Sequence, residues 1–146
     1  MKLVLQLFAV ITFLLFSCKE KKTQNINSLM SENQCKNALK IILENEKLKA
    51  FYYFNHIDQL KSVQILNNGK LPYLPPLDIY GKKVEYINTN KINDSLSIIT
   101  FTKFNYSSGI LESTFEINSS NIESPSKLQL LSDDKWLIKE FDVSIE

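Results

Sequence analysis

Few side chains in this sequence are equipped for chemistry. There are two cysteines, Cys18 and Cys35, and a single histidine, His56. A thiol nucleophile needs a base within hydrogen-bond reach, and His56 lies on a different segment from Cys35, so Cys35 reads as a core thiol. The sequence contains no H-E-x-x-H, no C-x-x-C pair and no G-x-S-x-G, and three glycines leave almost nothing from which to build a phosphate-cradling loop. A zinc site would have to combine His56 with carboxylates, against the usual nitrogen and sulfur donor sets. No catalytic residue, metal or cofactor is therefore expected. The one reactive atom in a distinctive setting is the sulfur of Cys18.

Cys18 ends a run that begins with Lys2 and continues through the uncharged, mostly apolar Leu3 to Phe16. That order is the pattern of an export signal. As a helix the run would extend about 21 Å, short of the ~30 Å hydrocarbon core of a bilayer. A permanent transmembrane anchor and an ordinary secretory signal are the alternatives. The stretch Leu15-Phe16-Ser17-Cys18 resembles a bacterial lipobox. The resemblance to that lipoprotein family implies cleavage between Ser17 and Cys18, a diacylglyceryl group on the Cys18 sulfur and an acyl group on the new amine. At about 0.8 kcal/mol per buried CH₂, two or three chains hold a protein on a membrane where one does not. Lys19, rather than an aspartate, follows the cysteine, and in the sorting pattern this resembles that favours the outer membrane. The expected compartment is the cell envelope.

Losing the signal takes Lys2 with it and leaves a nearly neutral chain, since all the basic residues are lysines and the acidic ones almost match them in number. Without arginine there is no planar bidentate fork for phosphate, so a nucleic-acid partner is not expected. Lys19, Glu20, Lys21, Lys22 and the polar residues after them, up to about Met30, read as a flexible tether with a span on the order of 20 Å. The remaining residues, 31–146, suffice for one domain. The expected organisation is thus a signal at 1–17, a lipidated cysteine and tether at 18–30, and a single domain at 31–146.

Within that domain, Ser31 is a plausible helix N-cap with Glu32 in the first turn. Cys35, Ala38, Leu39, Ile42 and Leu43 follow at helical spacing and define one apolar stripe. Asn45-Glu46 interrupts it, and Leu48 to Phe54 reads as a kinked continuation or a second short helix, its aromatics (Phe51, Tyr52, Tyr53, Phe54) taken as packing. Gln59 to Leu66 is the first expected strand, closed by Asn67-Asn68-Gly69. In Leu71 to Asp78 the prolines Pro72, Pro75 and Pro76 exclude helix and central strand. This loop, with Tyr73, Leu74 and Leu77, could be a lid, a ligand or partner surface, or a staple at one end of the sheet.

A strand through Val84 and Tyr86 should end at Asn93-Asp94. Leu96 to Tyr106 should be the longest strand, apolar on both faces in its middle and so central. Ser107-Ser108-Gly109 reverses the chain into a strand burying Leu111, Phe115 and Ile117. Asn118 to Ser126, ended by Pro125, reads as a polar loop. The last hairpin pairs Lys127 to Leu131 with Trp136 to Val143 across Ser132-Asp133-Asp134. Trp136 and Ile138 share one parity, whereas Phe141, Val143 and Ile145 share the other, which predicts a β-bulge near Lys139-Glu140.

Helices first and strands after give an α+β domain: an N-terminal amphipathic helix packed on a curved antiparallel sheet of four to six strands. The element order, with Lys127 to Leu131 and Lys135 to Ile138 closing the chain, resembles the cystatin-like and NTF2-like folds. That resemblance would allow an acid and a phenol facing into a cone to abstract a proton, with Asp78, Asp142 and the tyrosines as candidates. The reading the residues favour is different: a membrane-anchored envelope lipoprotein presenting a small non-catalytic binding module for a protein partner or a small apolar ligand. An enzyme with a cone-shaped pocket and a structural envelope component are the alternatives.

Overall fold

The computed structural model describes residues 30–49, 59–88, 98–118, 120–132 and 134–145. The expected signal with Ser17 and Cys18, the expected tether before Met30, Phe51 to Phe54, His56 and the expected turn at Asn93-Asp94 lie outside them. The domain opens with α1 (Glu32–Leu43). Its first turn is closed by a capping box: Ser31 Oγ accepts the Gln34 N–H at 3.1 Å and Gln34 Oε1 accepts the Ser31 N–H at 2.9 Å. The five stripe residues, Cys35, Ala38, Leu39, Ile42 and Leu43, are all buried. A separate short helix, α2 (Glu46–Lys49), begins where Asn45 Oδ1 accepts the Lys47 N–H, so the break at Asn45 is a new start and not a kink. Met30 belongs to the core and not to the tether, being 1% exposed.

Among the described residues eight strands follow: β1 (Val63–Leu66), β2 (Asp78–Ile79), β3 (Lys82–Ile87), β4 (Ile98–Ser107), β5 (Ile110–Ile117), β6 (Ile122–Leu130), β7 (Trp136–Phe141) and β8 (Ser144–Ile145). They form one sheet in the order β2-β3-β1-β4-β5-β6-β7, with β8 continuing along β6 past the end of β7. α1 packs on both β2 and β7, the two ends of that path, so the sheet curls around the helix. Inside the curl lie Phe101, Phe104, Leu111, Phe115 and Leu128 with the helix stripe, and the Phe101 ring sits 5.6 Å from those of Phe104 and Phe115.

The sheet is mixed where a wholly antiparallel one was expected, and it has more strands. β1 runs parallel to both β3 and β4. The Asn67-Asn68-Gly69 turn does not make a hairpin, because its groups are committed elsewhere. The Asn67 N–H reaches Ile87 O, Asn68 Nδ2 donates to Phe101 O, and Asn68 Oδ1 accepts the Lys70 N–H. The chain is thereby launched into a crossover, and it returns through the two-residue β2–β3 turn. Tyr80 and Gly81 both have positive φ there, as a primed hairpin turn requires. Ser108-Gly109 does the same between β4 and β5.

Two further expectations are corrected. β4 is central, but Phe101 and Phe104 lie in one core and not on opposite faces, because a bulge at Thr102 shifts the parity. The segment expected as a polar loop, Asn118 to Ser126, is strand from Ile122 onward. Its inward residues Ser124 and Ser126 are polar yet satisfied: Ser126 Oγ lies 2.7 Å from Ser113 Oγ, and Ser124 Oγ donates to Asp142 O at 2.8 Å. Pro125 is tolerated mid-strand because its carbonyl accepts the Asp142 N–H at 3.1 Å. A residue's N–H and C=O point the same way in a strand, so its missing donor faces the gap between β7 and β8.

The predicted bulge in β7 is present. Lys127 pairs with Glu140 and Leu128 with Ile138, leaving Lys139 as the extra residue. Trp136 and Phe141, of opposite parity, are both buried as a result.

Candidate functional site

The proline loop is built from its ends. Leu71 and Leu77 are buried and fix where it leaves and rejoins the core. Leu77 is therefore a core anchor rather than part of an exposed surface with Tyr73 and Leu74. Between them the carbonyls of alternate residues turn inward and each finds a donor. The Cys35 thiol donates to Tyr73 O at 3.9 Å, the Tyr86 hydroxyl to Pro75 O at 2.9 Å, and the Val84 N–H to Leu77 O at 2.8 Å. With Pro72, Pro75 and Pro76 fixing φ, the segment is held along one side, and Tyr73 and Leu74 stand outward at 37% and 40% exposure.

The donors in this clip are neutral. Burial pushes the Cys35 thiol up to about 12, with the Tyr73 carbonyl bond pulling the other way and Glu32 adding a little. Burial, then the nearby Cys35, pushes the Tyr86 phenol up to about 12. A thiol that holds its proton this firmly is a poor nucleophile, so Cys35 fastens the loop.

The acids singled out from sequence do not converge. Asp78 is exposed on β2 and Asp142 follows β7, at opposite ends of the sheet path. The Asp142 carboxylate accepts the Val143 N–H. Among the described residues the buried polar side chains are the three serines 113, 124 and 126, and no group of three or more His, Cys, Asp or Glu is placed to hold a metal. No helix among the described residues is long and apolar enough to cross a membrane.

Two of the surface concavities among the described residues bear on binding. A groove of about 740 Å³ runs across β4 to β7 and reaches Lys47 of α2, with Thr114 and Pro125 in its lining. Its charges alternate: Lys103 bonds Glu112 at 2.7 Å, Glu112 is paired across strands with Lys127, and Lys127 lies 4.0 Å from Glu140. The Lys103 hydrogen bond and charge hold the Glu112 carboxyl below its usual range. The groove is thus largely self-neutralised. A smaller notch of about 400 Å³ opens between α1 and the β6–β7 turn, where Ile41, Leu131 and Trp136 meet Lys40 and Lys135. Sequence reading missed it. The available signals were Ile41, beside the stripe on α1, and Leu131, an apolar residue directly before a polar turn. Comparison of the chain with protein-family models, with curated proteins and with solved structures finds no match.

Proposed function

We propose that this chain is a lipid-anchored envelope protein, tethered through Cys18, whose folded part is a non-catalytic module that recognises a protein partner through Tyr73 and Leu74. The observation that carries the recognition half is the pinned loop. Two apolar side chains are held outward by a backbone bonded at three alternate carbonyls, so little ordering entropy remains to be lost on binding. An aromatic and an aliphatic anchor on a rigid support is the composition of an interface hot spot. The filled inner face and the separation of Asp78 from Asp142 favour recognition over proton abstraction in a cone-shaped pocket. The anchor half rests on Leu15-Phe16-Ser17-Cys18 and the apolar run before it.

The test has two arms. Intact-mass analysis of protein from its native host should find Cys18 at the new amino terminus carrying lipid, and Cys18→Ser should abolish labelling and release the protein from membranes or block its maturation. A photo-crosslinking residue at position 73 should give one discrete protein adduct that a crosslinker at the exposed Glu116 does not. Tyr73→Ala or Leu74→Ala should weaken that complex by about 2 kcal/mol, roughly thirtyfold in affinity. A bare Cys18 sulfur would overturn the anchor, and identical adducts at 73 and 116, or none, would overturn the recognition surface.

A further inference from the structure

The notch beside Trp136 has a position in the chain as well as a shape. Met30, buried in the core, stands next to Ser31, the N-cap of α1, and eleven residues separate it from Cys18. A chain of that length has an r.m.s. span on the order of 20 Å, close to the radius of a domain this size. A lipid on Cys18 would thus hold the entry end of α1 within reach of the bilayer surface. The β6–β7 hairpin is fastened to that same end of the helix. Trp136 Nε1 donates to Gln34 O at 2.9 Å and Asn37 Nδ2 donates to Asp134 O at 3.2 Å. These bonds hold the hairpin tip against α1 between Gln34 and Asn37, and the notch continues from there to Lys40 and Ile41 in the last turns of the helix.

We propose that this notch rests on the lipid surface, with Leu131 entering the headgroup–acyl boundary and Lys40 and Lys135 meeting lipid phosphates. Leu131 is 47% exposed, and it lines the notch together with Ile41 and Trp136. The indole itself is 7% exposed and its N–H is taken by Gln34 O, so it floors the notch while Leu131 makes the apolar entry. Lys40 and Lys135 line the same notch, and Asp134, also in its lining, offsets part of their charge. Apolar entry and phosphate contact, which any glycerophospholipid offers, therefore drive the docking, with little dependence on net membrane charge. The contact need not be strong, because a short tether supplies an effective concentration of the order of millimolar. Tyr73 and Leu74 project from the opposite flank of α1, next to Cys35 and β2, and stay available to a protein partner. This inference rests on the anchor reading of Cys18.

Trp136 is the only tryptophan, so its emission reports on this place alone. The lipidated chain is reconstituted into phosphatidylethanolamine/phosphatidylglycerol vesicles with and without brominated acyl chains, which quench indole only at close range. Bromolipid should quench Trp136, and Leu131→Asp, a change at an exposed site, should restore most of the lost emission. Replacing phosphatidylglycerol with phosphatidylcholine should leave the quenching largely in place. Lipidated protein whose emission is indifferent to bromolipid, or equally quenched in Leu131→Asp, overturns the docking and leaves the anchor standing. A Trp136 signal that follows protein density and not bromolipid would show a second copy on the notch, and also overturns it. Intact mass of the same sample showing an unmodified Cys18 removes the anchor and the docking together.

Discussion

The Trp136 indole donates its N–H to the main-chain oxygen of Gln34 at 2.9 Å, joining the last hairpin to the first turn of the first helix across 102 positions of sequence. The same ring packs edge-on against Tyr106 at 5.8 Å. Gln34 is also the capping-box residue of α1, so the indole reaches the turn that the cap holds in place.

Truncating that ring should be among the more damaging single changes. Trp136→Ala removes a 7%-exposed aromatic and should cost ~3 to 5 kcal/mol in urea unfolding. Trp136→Phe keeps most of the packing and loses the donor, for about 1 kcal/mol beyond the small volume change. Equal effects of the two variants would mean that the hydrogen bond and not the packing dominates.

The pairing of Ser113 with Ser126 makes a different kind of prediction. Their hydroxyls lie 2.7 Å apart on the inner face of β5 and β6, both buried. Changing either one to alanine leaves the other without its partner and should cost ~1 to 3 kcal/mol, whereas the double change should cost no more than one single change. A double-mutant cycle by chemical denaturation reads the difference directly. Additive losses would place water, and not the partner serine, at each hydroxyl.

The bulge at Lys139 separates the effect of a residue from the effect of its side chain. Lys139→Ala touches only an exposed ammonium and should change stability by less than about 0.5 kcal/mol. Deleting Lys139 restores a regular register and forces either Trp136 or Phe141 out of the core, because a one-residue slip in a strand reverses every side chain. The deletion should cost roughly 3 kcal/mol or more, measured on the same denaturation curves.

That bulge was legible because Trp136 and Phe141 disagree in parity and a strand buried on one face cannot hold both; Ile138 and Ile145, which carried the same pattern in the sequence, are exposed. Its counterpart at Thr102 was not, since Ile98 and Ile99 made β4 look two-sided and concealed the phase change between Phe101 and Phe104. The stripe of α1 was readable because Cys35, Ala38, Leu39, Ile42 and Leu43 carry an unbroken helical period. The strand through Ser124, Pro125 and Ser126 was hidden, because what buries those serines is a hydroxyl on another strand and a carbonyl beyond β7. The parallel placement of β1 depends likewise on Asn68 reaching Phe101, a tertiary contact with no local signature. At the candidate site, the prolines marked the loop, but which of its side chains face out was decided by donors on α1 and β3.

The clip that decides this also predicts how stability depends on pH. Cys35 and Tyr86 both hold their protons more tightly folded than unfolded: burial raises Cys35 from 9.0, and Tyr86 from 10.0, each to about 12. Below pH 9 both states are protonated at these groups and their contribution is fully present. As pH rises from 9 toward 12 the unfolded chain ionises first, so stability falls through that window. Cys35 alone should remove about 1.4 kcal/mol one pH unit above 9, with Tyr86 adding loss in the same direction. Comparison of variants with the parent isolates the contribution of these two groups. Cys35→Ala and Tyr86→Phe should each flatten the decline of the urea midpoint with pH. In the native protein, the Cys35 thiol should resist alkylation at pH 8 until denaturant is added. If the two variants decline as steeply as the parent, neither donor is shielded, and the loop that displays Tyr73 and Leu74 is not held from below.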